Sequence, residues 1–145
     1  MMRGRTDTET GHRVLPHTAD LIVEAWAPSR AGCLEELVRG VVETFADTCE
    51  AEVTREVPVE VVAARDEDAV VALIGDVCYL LDANGLVVVD VALEEEEDAN
   101  FGGVLFVAPV DSVVPTGAGP KGVSRSELRF AHDGRLWRAR VLVDV

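Results

Sequence analysis

Two tryptophans, one tyrosine and four phenylalanines are all the aromatic side chains in 145 residues, so the core has to be aliphatic. Valine is abundant, and its branched β-carbon suits a pleated, half-buried surface, which points to strands. Cysteine is scarce: Cys33, Cys49 and Cys78 are odd in number and show no CxxC spacing. That argues against a disulfide framework or a structural zinc site and fits a reducing compartment. No apolar stretch reaches the roughly 20 residues needed to span a bilayer. The opening MMRGRTDTETGHRV lacks the apolar core of a signal peptide. A soluble, cytoplasmic protein without membrane contact is the expectation.

Basic residues are also few: 13 Lys and Arg stand against 27 Asp and Glu, for a formal net charge of −14. Nucleic-acid affinity comes mainly from Lys and Arg displacing counterions, so this balance argues against direct, high-affinity RNA or DNA binding. It favours docking on a basic protein, with complementary fields speeding encounter. Catalytic signatures are missing as well. There is no phosphate-cradling GxxxxGK[ST], and Cys, His and Ser form no triad motif, so an enzyme is not expected.

The length suits one domain. Residues 1–12 read as a polar, flexible lead and 13–145 as the folded domain. LIVEAWA at 21–27 is an apolar run ending at Pro28, a largely buried strand. Helical spacing follows over 33–47, where Leu34, Leu37, Val38, Val41 and Phe45 share one face. Val57, Val59 and Val61 alternate in a strand at 56–63, placed at a sheet edge by Pro58, which cannot donate to a ladder. Asp66, Glu67 and Asp68 complement the positive end of a second helix, which Asn84-Gly85 stops. Strands follow at 86–93 and 103–108, a Pro/Gly loop at 109–120, and a hairpin at 121–130 and 136–144 turning at His132-Asp133-Gly134. The sum is an α+β fold with two helices packed on antiparallel sheet.

His17-Thr18-Ala19-Asp20 precedes the first strand, and Asp144 lies on the last one. Along that last strand Trp137, Ala139, Val141, Val143 and Val145 take the core face, leaving Arg138, Arg140 and Asp144 on the other. If the two strands are neighbours, Asp20 and Asp144 approach each other. With an oxygen of Val145 they would suit a hard cation such as Ca²⁺ or Mg²⁺. The plainer readings are an Asp20 that satisfies turn amides and an Asp144 paired with Arg140. Glu94–Asp98 reads as a solvated turn rather than a metal cluster. Lys121 follows a flexible loop and is either a partner-reaching cation or a surface lysine flanking an edge strand.

Three blocks taken in order resemble the archease family: HTADLIVEAWAPSRAGCLEELVRGVVETFADT at 17–48, DEDAVVALIGDVCYLLDANGLVVVDVAL at 66–93, and KGVSRSEL at 121–128 with the closing WRARVLVDV. The resemblance implies a single compact domain of the strand-helix-strand-strand group. It implies a non-enzymatic protein cofactor for the GTP- and manganese-dependent RNA ligase of tRNA splicing and RNA repair. Such a cofactor promotes guanylylation of the ligase on a histidine and sustains its turnover. It also implies that Asp20 and Asp144 are metal-associated (Ca²⁺, Mg²⁺ or Mn²⁺), that Lys121 is functionally important, and that His17 is either a functional residue beside them or a hydrogen-bonding residue that orders the loop holding Asp20. Two departures stand out. The family's Lys-Ala-Val-Thr-Tyr is replaced by Lys121-Gly122-Val123-Ser124-Arg125, and Cys33 occupies a usual helix-capping position, which moves the helix start towards Ser29. A stand-alone metal-dependent enzyme and a chaperone-like modulator of RNA-modifying enzymes are the alternatives.

Overall fold

The computed structural model describes residues 9–17 and 20–145, with His17 described by its backbone alone. Its elements run β1 (Gly11–His17), β2 (Asp20–Ala27), α1 (Arg30–Glu43), β3 (Ala46–Asp47), β4 (Arg55–Val61), α2 (Asp66–Asn84), β5 (Leu86–Glu95), β6 (Phe101–Pro109), β7 (Val114–Pro115), β8 (Gly122–His132) and β9 (Trp137–Asp144). Every strand pairing is antiparallel. One sheet has the order β1-β2-β9-β8, a second β4-β6-β5, and β3 pairs with β7 in a two-stranded ribbon. The expected α+β architecture is present, with β4 at a sheet edge as Pro58 requires.

Helix α1 packs on β2 and β9 of the first sheet and on β5 of the second, so both sheets share one aliphatic core. Its expected apolar face is buried: Leu34, Leu37 and Val41 are wholly inaccessible, and Val38 and Phe45 nearly so. Each such side chain stabilises the fold by about 1.5–3 kcal/mol relative to exposure. The helix begins three residues earlier than its periodicity suggests, because Ser29 is the cap and its hydroxyl accepts from the Gly32 N–H at 3.0 Å. Cys33 is therefore inside the first turn, buried, with burial pushing its thiol up to about 12. The helix also ends earlier, at Glu43 rather than residue 47. The Phe45 carbonyl accepts from the Thr116 N–H and Ala46–Asp47 pair with β7, which draws the chain out of the helix. Helix α2 follows the expected bounds, and Gly85 closes it with φ +64°, a left-handed conformation suited to glycine.

Strand β1 is a departure from the sequence reading, which ended its flexible lead at residue 12; Gly11 and His12 already lie in the strand. Residues 1–8 lie outside the described residues. Within the 109–120 segment, Val110–Ser112 make a single 3-10 turn before β7. Gly103 is required by close approach, since a Cβ there would stand 2.0 Å from the Ala92 carbonyl oxygen of β5. Asp98 and Ala99 hold φ of 61° and 62° in the turn between β5 and β6. An L-residue pays roughly 1 kcal/mol for that region, so Ala99→Gly is expected to raise the unfolding free energy by about 1 kcal/mol. A fall in the urea midpoint would contradict this.

Candidate functional site at one end of the larger sheet

The order β1-β2-β9-β8 makes the first and last major strands neighbours, and their register sets Asp20 opposite Asp144. Directly opposed residues have Cβ atoms roughly 4.5–5.5 Å apart, so the two carboxylates share one patch. Asp20 is itself the first residue of β2 rather than part of a preceding loop, which fixes its side-chain direction by the strand alternation. On the other side of β9, Gly122 pairs with Asp144, and the Lys121 N–H donates to the Asp144 carbonyl at 2.8 Å. On the outer side of β2, His17 pairs with Asp20 to close the β1–β2 hairpin. His17, Asp20, Asp144 and Gly122 thus form one cross-strand row, with Lys121 next to its end, joining segments up to 127 residues of sequence apart.

Asp144 is exposed and Asp20 half-buried, and neither is in an ion pair among the described residues. The plainer reading of Asp144, a pairing with Arg140, does not hold: Arg140 bridges Glu24 and Glu127. The side chain of His17 and residues Thr18 and Ala19 lie outside the described residues. Lys121 is exposed, with no ion-pair partner among the described residues. Among those residues no group of three or more His, Cys, Asp and Glu is arranged to hold a metal ion. Two carboxylates are hard oxygen donors suited to Ca²⁺, Mg²⁺ or Mn²⁺, but such ions take at least about six ligands, leaving the others to water or a partner.

The acidic run at Glu94–Asp98 is exposed, as expected of a solvated turn. Glu60, Glu94 and Glu96 gather over Gly102 and Gly103, and a hydrogen bond with Glu60 raises the Glu96 carboxyl. The block after Lys121 runs into a bulge of β8. Ser124 faces Leu142 and Arg129 faces Arg140, so four residues of β8 bulge against Val141 alone. Within the bulge Glu127 takes φ 64°, and Arg125 reaches Asp68 at the start of α2 at 3.1 Å.

The strand that carries His17 is pinned to α1 by a histidine the sequence reading passed over. His12 Nδ1 and Nε2 each lie 2.9 Å from a carboxylate oxygen, of Glu36 and Glu43 respectively. Hydrogen bonds to Glu36 and then Glu43 hold the His12 pKa at about 9, against the opposing effect of burial. Burial pushes Glu36 up, but His12 and Arg39 beside it outweigh this and keep its carboxyl below the usual range. The raised histidine contributes stability that is complete below its unfolded value of 6.5 and is lost as pH rises towards 9. The lowered carboxyl contributes stability that is present above 4.5 and is lost as pH falls. A stability maximum between these values is expected, with a loss of about 1–2 kcal/mol from pH 6.5 to 9 once solvent screening at exposed Glu43 is allowed for. His12→Gln should abolish that alkaline slope; an unchanged slope would show that the pairing does not govern it.

Known proteins match both the sequence and the fold of this chain. Residues 12–145 match the model of the Archease protein family (MTH1598/TM1083). The chain is 41% identical over 142 residues to the "Probable protein archease" of Mycobacterium tuberculosis strains CDC 1551 / Oshkosh and H37Rv, spanning 98% of this chain and 79% of each relative. The solution structure of Methanobacterium thermoautotrophicum protein 1598 superposes with a TM-score of 0.74 at 18% identity, over 93% of this chain and 99% of that one. The crystal structure of an archease, possible chaperone (TM1083), from Thermotoga maritima gives a TM-score of 0.63 at 20% identity, over 90% and 94% of the two chains.

Proposed function

Because this chain belongs to the archease family, we propose that it is a protein cofactor that activates a GTP- and metal-dependent RNA ligase of tRNA splicing and RNA repair. The observation that carries the reading is the cross-strand pairing of Asp20 with Asp144, beside Lys121, in a row where neither carboxylate is spent on an ion pair among the described residues. The acidic end of the sheet enters the basic active site of the ligase, guided by the charge of −14. There Asp20 and Asp144, with an oxygen of Val145, would hold a divalent ion such as Ca²⁺, Mg²⁺ or Mn²⁺. Such an ion supplies charge neutralisation for the phosphates in nucleotidyl transfer. The chain's own residues position that charge. β2 and β9 fix the two carboxylates, the backbone bond from Lys121 steadies the end of β9, and the Lys121 ammonium is left to meet a phosphate or carboxylate of the complex. His17 closes the hairpin that presents Asp20.

The activity acts through the ligase, in the cytoplasm, and not on a small substrate. Among the described residues no helix is long and apolar enough to cross a membrane. The test is multiple-turnover RNA ligation by the same organism's ligase with a substoichiometric amount of this protein. Acceleration is expected; none, with both proteins folded, would overturn the reading. The Thermotoga maritima protein's description as a possible chaperone favours a second reading. It predicts protection of a client from aggregation that is indifferent to Asp20 and Asp144. A stand-alone metal-dependent enzyme would instead turn over small phosphate esters without any ligase.

A further inference from the structure

The face of the larger sheet turned away from the helices carries a second, chemically different surface. In one cross-strand row stand Arg13 of β1, Glu24 of β2, Arg140 of β9 and Arg129 of β8; in the next stand Gly11, Trp26, Arg138 and Ala131. Four of the chain's 13 basic residues thus line one depression of about 560 Å³, with Trp26 half-exposed in it. Glu24 is held between Arg13 and Arg140; Arg140 also touches Glu127, and Arg138 touches Asp133. Arg129 has no ion-pair partner among the described residues. Four arginines against those three carboxylates leave the patch net positive in a chain of net charge −14.

We propose that this face binds single-stranded nucleic acid weakly, with phosphates on Arg13, Arg129 and Arg140 and a base stacked on Trp26 beside Arg138. Exposed ion pairs contribute little, so Arg138 and Arg140 can exchange Asp133 and Glu127 for a phosphate, whose oxygens match the guanidinium fork. An acidic peptide would use the arginines alone. The aromatic ring among them is the element that favours a nucleic acid, and a stacked duplex offers it no free base. The overall negative charge does not forbid this. At about 0.1 M salt the screening length is roughly 10 Å, so the distant carboxylates are muted while the arginines act at contact. Row by row, the patch begins about 13 Å along β2 from Asp20, close enough for a strand being joined to lie across it. This goes beyond ligase activation, and its test needs no ligase, so its failure would leave that reading standing.

The test is fluorescence anisotropy of a short 5′-fluorescein oligouridylate titrated with this protein at about 0.1 M salt. Measurable binding is expected, weakened about tenfold or more by Arg129→Glu with Arg138→Glu, and severalfold by Trp26→Leu. The control is Arg55→Glu with Arg65→Glu, which makes the same change of charge at two exposed arginines outside the patch; it should leave affinity nearly unchanged. Circular dichroism confirms folding of each variant. The proposal is overturned by absence of binding, by an equal loss in the control, or by a polyglutamate peptide binding as tightly with the same dependence on Arg129 and Arg138.

Discussion

Asp20→Ala combined with Asp144→Ala is expected to reduce ligase activation by about a hundredfold while leaving the melting temperature almost unchanged. The two expectations together make the result informative. Neither carboxylate is in an ion pair among the described residues, and Asp144 is exposed, so folding loses little with them. Surface substitutions of this kind usually fall within about 0.5 kcal/mol. Removing two like charges from directly opposed positions even relieves some repulsion. Activity lost with folding retained would place these groups in the working end. The same variant also separates metal binding from other roles. Millimolar Ca²⁺ or Mn²⁺ should raise the wild-type melting temperature by binding the folded state, and should not raise that of the variant. Full activation by the double variant would remove the carboxylates from the account.

The second large effect concerns Arg30, the buried cation at the start of α1. Only 7% of its surface is exposed, and its guanidinium joins segments that are distant in sequence. Nε donates to Asp66 at the start of α2 at 3.0 Å, and Nη1 donates to the Ala99 carbonyl at 3.0 Å and to Glu95 at 3.3 Å. Its Cζ lies 4.4 Å from the centre of the Phe101 ring, with Phe130 and Trp137 further out. Arg30→Ala removes all of these at once, leaves two carboxylates without their cation and opens a cavity. About 3–4 kcal/mol of stability should be lost, a fall of about 10–15 °C in melting temperature. Arg30→Lys should recover only part, because an ammonium cannot make the forked contacts or stack in the same way. A loss under about 1 kcal/mol in urea denaturation of Arg30→Ala would refute this assignment.

The difference between these two sites shows where sequence reasoning reached and where it stopped. Strands β2 and β9 announce themselves by apolar runs, and α1 and α2 by their spacing, so the neighbourhood of Asp20 and Asp144 follows once the two strands pair. Arg30 gives no such signal. A single arginine at a loop–helix junction has no periodicity, and its partners come from residues 66, 95 and 99. Strand β1 was hidden for a related reason. GHRVLPH is polar and contains proline, and it becomes a strand through pairing with β2 and through His12 bridging to α1. The arginine face was half visible. Arg138 and Arg140 share a strand face by simple alternation, whereas Arg13 and Arg129 join them only through the sheet order. Leu142 falls on that same face and is nevertheless buried, which alternation alone would not suggest.

The most direct measurement of the central claim is guanylylation of the same organism's RNA ligase, the proposed partner, with radiolabelled GTP and Mn²⁺, with and without this protein and its Asp144→Ala variant. The account predicts that wild-type protein at well below ligase concentration accelerates label incorporation and that Asp144→Ala does not. Equal incorporation in all three reactions, with every protein folded, would contradict it.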